Sequence, residues 1–466
     1  MLLEYLLAIC GILLVGVLIR RKVNATVALL AGGLLILMVA PVLGHTGTGG
    51  YDVTDTGNAW LDQFGYIAAI LSQTTAGIGM VIMVLFGFSA YMSHIGANQV
   101  ATRLLTKPLL RLRAKYLLVP LTFWIGNLMS LAVPSASALA VLLVATLLPA
   151  LVGAGLTPIT AAAVIATTAT IMPTPLGADN VIAAERLGIP LDDYVFGMHA
   201  AISIPTLVAM GLAHLVWQRF LDRRAIVRSK NLGRLPTESD SEAAPEMPRD
   251  APGWYAVLPV LPLLLVLVPF VLKQLTPFDL AVELVPVTLI ALVVAAVAES
   301  ARRRSPRAAL EDLMVFFRGM GTGFAMVVAL VIAANVLVEA IMQIGVVDAL
   351  SAAVAGLDGA ALLLFLGFSG AMLLLALLTG GVAPFYSLVE IAPKVALSAG
   401  VNGALLVLPI QFIGNLARAM SPVAAVVLIV SSSVRVTVTE LIARTSVPMI
   451  VGIGVSMLLT WIVVGP

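Results

Sequence analysis

Residues 167–180 read TTATIMPTPLGADN, a run with two prolines, a glycine and an aspartate set between apolar arms. How this run is read decides the fold. Taken as two bilayer crossings, 157–172 and 177–188 fall short of the roughly 17–25 residues a transmembrane helix needs. Taken as one unbroken helix, 157–188 would rise about 48 Å, longer than a bilayer requires, and Pro173, Pro175 and Gly177 are strong helix interrupters. The stretch therefore reads as one crossing broken in its middle.

The surrounding chain has 466 residues, 61% of them hydrophobic and 11% charged, with a mean hydropathy of +1.08. That is beyond what a soluble domain sustains, so the fold class is an all-α, polytopic integral membrane protein. Apolar windows recur at about 2–19, 24–43, 76–93, 194–217, 254–272, 281–298, 323–343 and 438–463. The net charge of +2 comes from bases clustered in a few loops, so it concerns orientation in the bilayer and no nucleic-acid partner is expected. Cys10 is the one cysteine, which leaves no intramolecular disulfide and no cysteine zinc site. Met1–Gly16 carries Glu4 and no Lys or Arg, whereas Arg20-Arg21-Lys22 follows, the reverse of a signal peptide, so a retained helix is expected.

Loop charge alternates along the chain. The bases at 20–22 are followed by an acidic 44–66 with Asp52, Asp55 and Asp62, then by Arg103, Lys107, Arg111, Arg113 and Lys115. Farther on, 219–249 and SARRRSPR at 300–307 are basic, whereas 345–359 carries Asp348 and Asp358 without a base. Basic loops face the cytoplasm, which places both termini outside. For this to hold, 117–152 must return to the side it leaves, and a re-entrant hairpin and a pair of full spans both do so.

The second half repeats the plan. Ile95-Gly96 recurs as Ile344-Gly345, Pro149 as Pro393, Pro175 as Pro422 and Ser203-Ile-Pro205 as Ser446-Val-Pro448, each 243 to 249 residues later. Each repeat then holds three spans, a there-and-back pair, one broken span and a final span. An odd number of crossings inverts the second copy, the architecture of many secondary transporters. Residues 218–253, polar and mixed in charge, read as a cytoplasmic linker between the repeats.

Each repeat has two polar interruptions: Pro134–Ser137 and Thr170–Asn180, then Thr379-Gly380-Gly381 and Asn415–Pro422. Irregular backbone at membrane depth survives only where protein or a water-filled cavity covers it, so such breaks mark a cavity. Half-helix N-termini there offer N–H donors to an anion. Arg418 could hold a carboxylate in a two-pronged contact or snorkel to the cytoplasmic face. Asp179 reads equally as a coupled-cation or proton site and as a helix N-cap. Arg444 is expected to snorkel, and Glu390 and Lys394, spaced i, i+4, to pair with each other. His45, His94, His199 and His214 lack metal-ligand spacing, and His94 and His214 read as polar helix ends. Gly319-Met-Gly321-Thr-Gly323 reads as small-residue packing. No acid/base, nucleophile or metal constellation supports an enzyme, and no sizeable soluble domain supports a receptor.

With GFSAYMSHIGAN (87–98), LMSLAVPSASALAVLLVATLLP (128–149), APFYSLVEIAPK (383–394), NLARAMSP (415–422) and RTSVPMIVG (444–452) in view, the chain resembles the DcuC family of bacterial four-carbon dicarboxylate carriers. The resemblance implies elevator-type transport of succinate, fumarate and malate as export, exchange or cation-coupled symport. It also implies that 117–152 and 360–399 are re-entrant hairpins. Repeat 1 would place scaffold at 1–115 and transport elements at 116–217, with its broken helix at 157–188 and final helix at 194–217. Repeat 2 would place scaffold at 254–359 and transport elements at 360–466, with its broken helix at 403–433 and final helix at 438–463. The substrate would meet Ser135, Ser137, Thr174, Thr379, Gly380, Asn415, Arg418 and Ser421, and a coupled H⁺ or Na⁺ would meet Asp179 and Asn180. No other cofactor is expected, the partners being the dicarboxylate, the lipid bilayer and a second copy of the chain. The inner membrane is the expected location. Carriers of other organic anions (gluconate, a tricarboxylate or a monocarboxylate) and cation/proton antiporters share this plan and remain the alternatives. The family's first tip tends to read Ser-Ser-Ala-Thr where this chain has Pro134–Ser137, and its second tip carries an Asn where Val382 stands.

Overall fold

The computed structural model describes residues 2–21, 23–47, 51–107, 115–131, 133, 135–232, 251–276, 282–346, 349, 352 and 359–465. Pro134 at the first tip, Asp348, Asp358 and most of the expected linker, 233–250, lie outside the described residues. The described residues are helical, without a strand, and contain ten helical stretches long and apolar enough to cross a membrane.

The first half runs through α1 (Leu2–Arg20), α2 (Ala25–Val39) and α3 (Ala59–Thr74), which a π-helical turn at Thr75–Gly79 joins to α4 (Met80–His94). α5 (Ala97–Thr106), α6 (Leu118–Met129), α7 (Ala136–Thr146) and α8 (Leu148–Gly153) lead to α9 (Pro158–Ala166), α10 (Ala178–Leu187) and α11 (Ala200–Leu232). In the second half, α12 (Leu261–Leu275), α13 (Leu284–Arg303) and α14 (Pro306–Asp312) precede α15 (Met314–Gly323). A π-helical turn at Phe324–Val328 joins α15 to α16 (Ala329–Gln343). α17 (Ala360–Thr379), α18 (Ala383–Ser398), α19 (Gly403–Ala417), α20 (Ala425–Ser433) and α21 (Val438–Val464) complete the chain.

Local sequence explains where these helices begin. Thr157 Oγ1 accepts from Thr160 N at 3.3 Å, with Pro158 preset for the first helical position, and starts α9. Asn402 Oδ1 accepts from Ala404 N at 2.9 Å and starts α19. Thr437 and Glu440 exchange side-chain and backbone bonds in a capping box that starts α21. Matching features recur at a near-constant spacing: the two π-helical turns begin 249 residues apart, as do the left-handed Gly96 and Gly345, and the caps Thr157 and Asn402 stand 245 apart.

Two expected boundaries shift. The loop expected over 44–66 ends at Asn58, whose side chain caps Trp60 N and Leu61 N and opens α3. The helix expected over 194–217 continues to Leu232, so the linker expected over 218–253 is helical at its start. Gln218 and Asp222 on the added turns are buried against Arg444, which holds that backbone in register.

Helices of the two halves pack directly on one another, α4 on α15 and α2 on α16. The α4–α15 seam depends on small residues. A Cβ on Gly319 would lie 2.7 Å from Ala90 Cβ, and one on Gly323 would lie 2.8 Å from Phe86 Cβ, whereas one on Gly321 would meet nothing. Close approach of this kind is how helices associate where the solvent is itself apolar. Gly319→Ala is therefore expected to destabilise the protein by about 1–3 kcal/mol through overpacking, and Gly321→Ala to leave it unchanged. Thermal unfolding of the two purified variants in detergent measures the difference.

Candidate functional site

Two interrupted helices meet inside the molecule. The first break follows α9, where Ala169 adopts a left-handed backbone with φ 55°. For a residue with a Cβ this costs about 1–2 kcal/mol, so it persists only where surroundings over-determine it. They do so here. Thr170 donates from N and from Oγ1 to Asn127 Oδ1 of α6, at 3.1 and 2.9 Å. Arg418 Nη2 donates to the Ala169 carbonyl at 2.5 Å. Gly126 of α6 lies so close that an added Cβ would sit 2.2 Å from Thr168 Cγ2. Gly126→Ala is therefore expected to displace the break and lower stability; a thermal midpoint in detergent equal to that of the wild type would show that the break tolerates the shift.

The second break follows α19, where Arg418–Met420 tighten into a 3₁₀ turn and the chain resumes as α20. Its polar groups reach across to α10. Asp179 Oδ2 accepts from Asn415 Nδ2 at 2.7 Å and from Gln411 Nε2 at 3.0 Å. Gln411 Nε2 also donates to Asn180 Oδ1 at 2.7 Å, and the Tyr194 hydroxyl donates to Gln411 Oε1. Asn180 Nδ2 closes the set on the Thr174 carbonyl at 2.8 Å. Asp179 is thus not an N-cap: Gly177 holds that position, and the carboxylate lies in the first turn of α10, bonded to another helix.

Two adjoining cavities open on this cluster and share Gly177, Asp179, Asn415 and Arg418. The larger, about 340 Å³, lies between α4 and α15 on one side and both breaks with the segments 133–138 and 382–386 on the other. It falls within the size range of small-molecule sites. Ser89, Ser93, Ser135, Thr322 and Tyr386 give it polar edges. The smaller, about 60 Å³, is lined by Ser130, Thr170, Thr174, Asn180 and His199. One guanidinium and one carboxylate at the shared wall suit a small anion in the larger space, with helix N-terminal N–H groups as further donors.

The profile of the DcuC family, described as a C4-dicarboxylate anaerobic carrier, matches residues 3–465. The chain belongs to the DcuC family. The anaerobic C4-dicarboxylate transporter DcuC of Escherichia coli K12 is 34% identical over 99% of this chain and 97% of its own length. A protein of Vibrio cholerae named a probable anaerobic C4-dicarboxylate transporter DcuC is 35% identical over 97% and 96%. In fold, the chain is similar to Neisseria gonorrhoeae MtrF, described as illuminating a class of antimetabolite efflux pumps. That likeness has a TM-score of 0.52 at 14% identity and covers 94% of this chain and 95% of the other. This DcuC-family protein is accordingly a multi-pass membrane transporter and not an enzyme.

Of the residues expected at the site of this DcuC-family chain, Ser135, Thr174, Asp179, Asn180, Asn415 and Arg418 line one or both cavities. Four do not. Thr379 Oγ1 donates to its own helix at the Leu375 carbonyl, 2.9 Å away. Gly380, at φ 83°, ends α17 against Val423 and Ala424. Ser421 is fully buried and donates to the Leu377 carbonyl at 2.7 Å, which fastens the second break to α17. Ser137 is the second residue of α7 and lies off both cavities. Gln411, Tyr386 and His199 are additions. Gln411 carries a sequence signal, standing four residues before Asn415 in an apolar helix that would otherwise exclude an amide.

Three further expectations change. Arg444 does not snorkel: it is buried and pairs with Asp222 at 2.6 Å, also reaching Gln218 Oε1 and Thr160 Oγ1. Glu390 and Lys394 do not pair with each other. Glu390 meets Arg186 at 2.6 Å, and Lys394 approaches Glu339 at 3.9 Å, because α18 faces α10 and α16 along that side. His214 is no helix end but a buried ring within α11 whose Nε2 lies 3.0 Å from Thr167 Oγ1, and His94, the last residue of α4, meets Asp312 at 3.2 Å.

Proposed function

We propose that this protein carries four-carbon dicarboxylates such as succinate, fumarate and malate across a bacterial inner membrane by elevator-type alternating access, with both termini outside. The carrying observation is the cavity of about 340 Å³ with Arg418 and Asp179 on its wall, placed between α4 and α15 on one side and the two breaks on the other. The names of the relatives support the cargo. One carboxylate of the substrate would engage Arg418 and the other the polar edge near Ser135 and the N-terminal turn of α10.

In this reading the chain is two inverted repeats, and the recurring π-helical turns, left-handed glycines and caps support that duplication. Residues 1–115 and 254–359 form a homodimeric scaffold. Residues 116–217 and 360–466 form the moving part, with 117–152 and 360–399 as re-entrant hairpins. Since α17 has 20 residues, length alone would also let it span, and the hairpin assignment rests on the family resemblance. Coupling of the movement to H⁺ or Na⁺ is part of the proposal.

Counterflow of labelled succinate in proteoliposomes tests the cargo. Saturable exchange that unlabelled fumarate and malate suppress, and gluconate and citrate do not, is the expected result. Exchange suppressed only by gluconate or citrate would replace the cargo, and proton exchange without any carboxylate would replace the class.

A further inference from the structure

His199 closes the π-helical turn Asp193–His199 that leads into α11, and it is 2% exposed. Its ring stands edge-on to Tyr194 and Phe412, with centroids 6.2 and 4.7 Å away. Its Nδ1 is buried without a hydrogen-bond partner. Leaving a buried polar nitrogen unpaired is unfavourable, so one that a fold retains calls for an explanation, here sought in another state of the site. The ring also lines the smaller cavity, about 60 Å³, a space of one or two waters that joins it to Asp179, Asn180 and Arg418.

Charge at the site identifies that second state. The ionisable groups facing His199 are Asp179 from α10, Arg418 from the end of α19 and Tyr194 from its own turn; Phe412, Asn415 and Thr174 complete the surroundings without charge. Arg418 and Asp179 offset each other, so a dianion in the adjoining cavity finds no net positive charge from side chains. Uncompensated charge at membrane depth is strongly unfavourable. An imidazole gains a positive charge near neutral pH more readily than any other side chain. A nitrogen ring is also a poor ligand for a hard alkali cation, which selects oxygen donors.

We propose that His199 is a proton-binding site of this carrier: it takes up a proton as a dicarboxylate binds beside Arg418 and Asp179, travels with it, and releases it when the substrate leaves. The inference rests on the dicarboxylate reading above and names its coupled ion as H⁺.

Two measurements test it. In weakly buffered detergent solution with a pH indicator, binding of succinate to the wild type is expected to take up about one proton per site near neutral pH, with choline replacing Na⁺ without effect. In proteoliposomes with a trapped pH dye, succinate entry is expected to acidify the lumen, and His199→Gln to lower the H⁺-to-succinate ratio by about one. Binding without proton uptake in the wild type, or a Na⁺ requirement, overturns the inference whether or not the variant folds. So does an unchanged ratio in His199→Gln, or uptake that vanishes in Asp179→Asn and survives in His199→Gln, which would put the proton on the carboxylate. A wild type that binds and moves no dicarboxylate instead overturns the functional reading on which it stands.

Discussion

Arg418→Ala is expected to remove saturable succinate exchange, lowering apparent affinity by about a hundredfold or more. Removing one partner of a desolvated, hydrogen-bonded charge pair costs about 2–5 kcal/mol, and each 1.4 kcal/mol is a factor of ten. Among the described residues, Arg418 is also the one arginine or lysine on the wall of either cavity, so no neighbour offers a second guanidinium fork to the carboxylate. Because its guanidinium holds the carbonyl of Ala169, the loss has a second route through the shape of the first break. Arg418→Lys separates the two. It keeps the charge and loses the planar fork, so it is expected to recover part of the exchange and none of the two-pronged selectivity for carboxylate. Exchange within twofold of wild type in Arg418→Ala would remove this residue from the site.

Asp222→Ala is expected to produce the largest loss of stability, about 3–5 kcal/mol, read as a lowered thermal midpoint in detergent. Asp222 and Arg444 pair at 2.6 Å with both side chains buried, and Asp222 Oδ1 also accepts from Thr160 at 2.9 Å and Thr157 at 3.3 Å. The network thus fixes the start of α9 to α11 and α21. Removal of the carboxylate leaves the guanidinium buried and unpaired, whereas replacing both partners by apolar residues of similar volume removes that penalty. The pair Asp222→Leu with Arg444→Met is therefore expected to be more stable than Asp222→Ala alone. A single variant as stable as wild type would mean that water reaches the pair.

Much of this architecture was legible in the sequence because the bilayer constrains it strongly. Hydropathy windows located spans, and Pro173, Pro175, Gly177 and Pro422 located the breaks. Residue type and depth thus singled out Asp179 and Arg418, each with two readings, and the resemblance placed them with Asn415 about one substrate path. Partner choice was not legible. Arg444 lies near a helix end, where an exposed arginine would snorkel; only the continuation of α11 to Leu232 brings Asp222 beside it. Glu390 and Lys394 have helical spacing for a pair, yet α10 and α16 offer Arg186 and Glu339 on the facing sides. Ser421 and Thr379 have side chains able to bind a carboxylate, but Thr379 donates to the Leu375 carbonyl one turn back in its own helix and Ser421 to the Leu377 carbonyl of α17. Gln411 and His199 sit in apolar surroundings where sequence shows the residue and not its direction.

The central claim is that the dicarboxylate occupies the space between α4, α15 and the two breaks. Cys10, exposed on α1, is the chain's one cysteine, so Cys10→Ser gives a background for a single reporter. Ala138 lines the larger cavity and is exposed to it. In that background, with exchange retained, alkylation of Ala138→Cys by a membrane-permeant maleimide is the measurement. Succinate is expected to slow it, with half-protection at the concentration that half-saturates exchange, and acetate to leave it unchanged. An alkylation rate indifferent to saturating succinate, in protein that still exchanges it, would place the substrate elsewhere and contradict the account.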